Sequence, residues 1–169
     1  WFNGNKSILA DSRRSGMILG LTIHTKPEHI YRALLEATAF GCREILEAYT
    51  AVGVPIREIV ACGGIANKNP FMMQMYADVL GKPIRVSRNT QAAALGAAIM
   101  AAAAAEGVKL EAAVDRMADR ESKLYLPDPA RQAAYETLYR EYARLHDYFG
   151  RGENPIMAHL TNRKMQISQ

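Results

Sequence analysis

Apolar and polar positions change their period several times along this chain, and each change predicts an element. Ile30, Leu34, Ala37, Gly41, Ile45 and Ala48 recur at helical spacing with Phe40 beside them, while Arg32, Glu36, Arg43, Glu44 and Glu47 fall mostly outside that face. Thr25-Lys26-Pro27-Glu28 ahead of them has the form of a capping box. A long helix is therefore predicted from there to about Thr50, stopped by Gly53. Gly41 in its middle costs about 1 kcal/mol against Ala, which predicts close packing, or a ligand, at that point.

The pattern then becomes that of a buried strand, Ile56 to Ala61, which breaks at Gly63-Gly64 and resumes as a helix from Pro70 to Leu80. Asn69 is suited to N-capping, Pro70 to the first helical position and Gly81 to the stop. Ile84-Arg85-Val86 follows as a second strand and closes a βαβ unit. Further helices are predicted from Gln91 to Glu106, small-residued and buried, capped by Asn89 or Thr90 and closed by Gly107, and from Leu110 to Met117. Tyr135, Leu138, Tyr139, Tyr142, Leu145 and Tyr148 mark an amphipathic helix, and Ile156 to Arg163 a short last one. Asp11 to Gly20, and the stretch after Met117 through Leu126-Pro127-Asp128-Pro129, read as loops. The fold class is α/β, helix-rich around a βαβ unit, with a domain over 1–150 and a tail over 151–169.

Composition narrows the function classes. At 169 residues the chain is the size of one domain, and its formal charge of +4 comes from Lys and Arg interspersed with Asp and Glu. No basic stripe forms, which argues against nucleic acid. Cys42 and Cys62 lack metal-ligand spacing and sit among apolar residues, so reduced core thiols in a reducing compartment are expected, and no metal. The longest apolar stretch, Ala92 to Ala105, is Ala-rich and shorter than a membrane span, so a cytoplasmic chain with no membrane partner is expected. The start on Trp1-Phe2, without a polar lead-in, suggests a piece of something longer. A sheet lacking its first strands would expose an edge, through which copies could form a homo-oligomer.

The candidate chemistry lies at Gly63-Gly64. A βα turn sits at the carboxyl end of a parallel sheet, where ligands bind in open α/β folds. Missing side chains allow positive φ and close approach to the backbone. The following helix start favours a bound anion by about 0.3–1 kcal/mol, so a phosphate fits. A purely structural turn satisfies the same pattern. Asp11, Asp78, Asp115 and Asp147 read as carboxylates on solvated faces or at helix ends, and the tyrosines as half-buried packing residues.

Four stretches in order carry a resemblance: Gly16-Met17-Ile18-Leu19-Gly20-Leu21-Thr22; Tyr31 to Gly41; Gly63-Gly64 with Asn69 and Gln74; and Ala94-Leu95-Gly96-Ala97-Ala98. Together they resemble the second domain of the FGGY carbohydrate kinases. Trp1-Phe2-Asn3-Gly4-Asn5 and Leu145 to Gly152 look most like the family's pentulose kinases. The resemblance implies a partial ribonuclease-H-like, actin-like ATPase domain, contributing to ATP- and Mg²⁺-dependent phosphorylation of a pentulose by a longer protein. It implies a double-glycine loop against the nucleotide, which nominates Gly63, Gly64 and Asn69, with Ile65, Ala66 and Asn67 lining the loop. Some relatives have Asp before the glycines and one residue fewer before the Gln. Here Cys62 and the spacer Ile65-Ala66-Asn67-Lys68 leave the choice between Asn67 and Asn69 open. The family's catalytic Asp and phosphate hairpin fall ahead of the position matching Trp1, so no catalytic base is nominated and the chain alone is expected to be inactive. A kinase for xylulose, glycerol or another polyol, and a non-catalytic module of the same fold class, remain as alternatives.

Overall fold

The structure is a computed structural model describing residues 1, 4–118 and 122–167, so Phe2 and Asn3 of the opening motif lie outside the described residues. In chain order the elements are α1 (Pro27–Ala51), β1 (Ile59–Ala61), α2 (Gly64–Lys68), α3 (Pro70–Leu80), β2 (Ile84–Ser87), α4 (Ala92–Glu106), α5 (Leu110–Met117), β3 (Ser122–Tyr125), α6 (Pro129–Gly150) and α7 (Ile156–Ile167). They fall into two compact units, Trp1–Ile56 with Ala130–Gln169, and Arg57–Pro129.

The first unit joins α1 to α6 through aromatic and charged side chains. Phe40, buried on α1, meets the rings of Tyr135, Tyr139 and Tyr142 at centroid separations of 6.1, 6.0 and 5.3 Å. The Arg43 guanidinium lies 3.8 Å over the Tyr139 ring and pairs with Glu47 and Glu136 at 2.8 and 2.6 Å. The Tyr139 hydroxyl lies 2.9 Å from a Glu44 oxygen and 2.8 Å from a Glu47 oxygen. Burial and these two carboxylates push its pKa upward, because both favour the neutral phenol. Tyr135, Tyr139 and Tyr142 are thus packing residues, as expected, and their partner is α1, whereas Leu138, Leu145 and Tyr148 remain exposed.

Two local expectations shift here. The Thr25 hydroxyl accepts from the Thr22 N–H at 2.8 Å instead of capping the helix. Lys26 is the N-cap, with its N–H donated to His29 Nδ1 at 3.3 Å, because the fixed φ of Pro27 suits the first helical position. Ile156 opens a helix that continues past Arg163 to Ile167.

Among the described residues, the second unit holds a three-stranded sheet in the order β1-β2-β3, with α2 to α5. β1 and β2 run parallel with Ile59 opposite Ile84, so the predicted βαβ unit is present, although β1 starts at Ile59 rather than Ile56. β3 lies in the stretch after Met117 that the sequence reads as loop. It pairs antiparallel to β2, with Ile84 opposite Tyr125 and Ser87 opposite Ser122. Ile84 and Val86 are buried, as are Met73, Met75, Val79 and Leu80 of α3, so Met73 and Met75 belong to the core. Asp78 corrects the reading of a solvated carboxylate: it is 1% exposed and accepts from Gln74 Nε2 and from the Asp128 N–H, both at 2.8 Å. α4 corrects the buried helix, since only Ile99 and Ala103 are buried, against Ala113 of α5, and Met100 is 64% exposed. Its N-cap is Gln91 without a side-chain cap, although Asn89 Oδ1 accepts from the Gln91 N–H at 2.7 Å. No helix among the described residues is long and apolar enough to cross a membrane.

Candidate functional site

β1 ends at Ala61, and the chain turns at Gly63, whose φ of 90° and ψ of 178° suit glycine. Gly64 does not share that conformation. It is the first residue of α2, a helical turn not expected from the sequence, which places Ile65, Ala66 and Asn67 on helix instead of loop. Around both glycines the space is open: among the described residues, nothing beyond the adjoining backbone lies within 4 Å of where a Cβ would stand. Cys62 is exposed at this turn and Cys42 half-buried on α1, so the expectation of two core thiols fails for Cys62, which lies just past the end of β1. Burial raises the Cys42 thiol.

The nominated residues have distinct positions. Ile65 is 69% exposed, whereas Ala66 is buried in the unit's interior. Asn69 caps α3, its Oδ1 accepting from the Met72 N–H at 3.0 Å as the sequence predicts. Asn67 Nδ2 donates to the Gly63 carbonyl at 3.1 Å and to the Ser87 carbonyl at 2.9 Å, joining the turn to the last residue of β2.

A recess of about 340 Å³ opens beside Ala66 and Asn67. Its other walls include Val86, Arg88, Ser122, Lys123 and Tyr125. Lys123 Nζ lies 5.0 Å over the Tyr125 ring, so Arg88 and Lys123 are two basic side chains on the wall of the recess. Sequence reasoning missed Arg88, Ser122 and Lys123. Ser122 and Lys123 line the recess because β3 folds back onto β2, a pairing that no local signal announces, and Arg88 because it follows β2 directly. A cavity of about 290 Å³ in the first unit, bounded in part by Lys6, Glu44 and His146, contains none of the nominated residues. Among the described residues, no three His, Cys, Asp or Glu side chains are grouped to hold a metal ion.

Comparison with known proteins completes the picture. The model of the FGGY family of carbohydrate kinases, C-terminal domain, matches residues 1–105. A ribulokinase from Halalkalibacterium halodurans is 49% identical over 165 residues, covering 95% of this chain and 29% of that protein. Among solved structures, the xylulose kinase of Rhodospirillum rubrum superposes with a TM-score of 0.66 at 30% identity, over 80% of this chain and 27% of that one. The Plasmodium falciparum glycerol kinase solved with ADP gives a TM-score of 0.66 at 26% identity, over 85% and 29%. The fold is therefore the helix-rich α/β, actin-like ATPase fold that the resemblance implies. The chain spans under a third of the length of these relatives.

Proposed function

Because the chain belongs to the FGGY family of carbohydrate kinases, through its C-terminal domain, we propose that it forms part of the ATP-binding wall of a cytoplasmic L-ribulose kinase, which turns ATP and L-ribulose into ADP and L-ribulose 5-phosphate. Gly63 and Gly64 let the nucleotide lie against bare backbone, and Ile65, Ala66, Asn67 and Asn69 shape the wall around it. The observation that carries this reading is the open space at the two glycines, at the end of β1 and beside the recess of Asn67. The name of the 49%-identical relative supports ribulose over the xylulose of the structural neighbour at 30% identity.

Phosphoryl transfer rests on positioning and charge, with a base for the sugar hydroxyl and Mg²⁺ on the phosphates. None of the wall residues is a carboxylate, and no group of metal-binding side chains is present among the described residues, so this stretch does not fit a metal of its own. Its role is to hold the nucleotide. The base, the metal and the sugar contacts belong to the remainder of the longer protein, and this chain alone turns over no ATP with L-ribulose.

The test is Gly64→Val in the full-length kinase. Gly64 does not need positive φ and its Cβ position is empty, so the fold accepts the side chain while the nucleotide meets it. The KM for ATP rises by about tenfold or more, with the KM for L-ribulose within about twofold, as expected for lost nucleotide binding. An unchanged ATP constant refutes the site.

A further inference from the structure

Asn67 has the shape of a brace. A primary amide carries two N–H donors, and here both reach backbone carbonyls, those of Gly63 and Ser87. The pair fixes which way the amide faces, since a flipped side chain would set Oδ1 against two carbonyl oxygens. The Gly63 carbonyl also accepts from the Asn67 backbone N–H at 3.3 Å, so one short helical turn holds the glycine from two directions. At the other end the connection continues. Ser87 Oγ accepts from the Asn89 N–H at 3.2 Å, and Asn89 Oδ1 accepts from the Gln91 N–H at 2.7 Å, at the N-cap of α4. The ends of β1 and β2 and the entry to α4 are thereby joined by a chain of polar contacts, next to glycines that have no side chains to pack.

We propose that Asn67 is a positioning residue: it sets the Gly63–Gly64 backbone for the nucleotide by fastening it to the Ser87–Gln91 loop, so that the two segments hold or loosen together. This rests on the nucleotide reading above and adds how the turn keeps its shape. It also divides the work between the two asparagines, with Asn69 starting α3 and Asn67 holding the turn.

Asn67→Asp in the full-length kinase keeps the side-chain size and removes both donors, leaving a carboxylate against two carbonyl oxygens. The KM for ATP is expected to rise about tenfold, with the KM for L-ribulose within about twofold. Amide hydrogen exchange is expected to accelerate in 63–67 and in 87–91 together, while the second half of α3 stays protected. If Asn67→Asp does not fold, Asn67→Ser carries the same two readouts. A KM for ATP within about twofold of the parent overturns the proposal when Gly64→Val raises it, whereas failure of both variants to move it removes the nucleotide reading itself. A raised ATP constant with unchanged exchange in 87–91 also overturns the brace, because Asn67 would then act by direct contact.

Discussion

Gly41 and Tyr142 face each other between α1 and α6, with the tyrosine hydroxyl oxygen 3.6 Å from where a Cβ on Gly41 would stand. The close packing expected from a glycine in mid-helix is there, but at an ordinary van der Waals distance that leaves room for one methyl group. Gly41→Ala should therefore gain helix propensity without a clash, worth up to about 1 kcal/mol. Thermal unfolding should show a rise of about 2–4 °C, and Gly41→Leu a fall. Tyr142, whose pKa burial and Glu44 push up to about 12, stays a neutral phenol in this contact.

Asp78 accepts from Gln74 Nε2 and the Asp128 N–H in the interior of the second unit. Asp78→Ala leaves those donors without this acceptor and should cost about 1.5–3 kcal/mol, the usual range for hydrogen bonds to a charged group. Asp78→Asn, which keeps one acceptor oxygen, should cost less. Urea unfolding of the two variants measures the order.

Asp11 accepts from both the backbone N–H and the guanidinium of Arg13, and pairs with Arg14 at 3.1 Å. The Arg13 hydrogen bonds hold its pKa at about 2, below the ordinary 3.8. A carboxylate depressed by folding adds stability that is complete above its unfolded pKa and lost as pH falls through the folded one. The melting temperature should decline between about pH 4 and pH 2. Asp11→Asn should flatten that decline, and melting curves across the range check it.

Gly63 and Gly64 should separate by backbone conformation. Gly63 has a φ of 90° and a ψ of 178°, so Gly63→Ala forces an L side chain into a region it avoids, at a cost of about 1–3 kcal/mol. Gly64→Ala meets neither strain nor a neighbour and should leave thermal stability unchanged within error.

Much of this molecule follows from short-range chemistry. α3 begins and ends where Asn69, Pro70 and Gly81 say it should, because a side-chain acceptor, a proline at the first helical position and a glycine in the left-handed region act within one turn of the helix. The tyrosine face of α6, the βαβ unit and the bare glycine turn are legible for the same reason: each is written in residues a few positions apart. The family motifs are legible too, as ordered strings. What the sequence left open depends on chain closure. β3 is four residues whose partner strand lies on the far side of α4 and α5, so its alternation carries no signal until Ile84 stands opposite Tyr125. Asp78 reads as a surface carboxylate until the Asp128 N–H, 50 positions later, reaches its oxygen. Asn67 reads as loop until the Ser87 carbonyl arrives from 20 positions away. Local periodicity determines which segments are helix or strand. Only the tertiary fold decides which polar atoms meet, since those meetings compete with water and are won only where the packed chain excludes it.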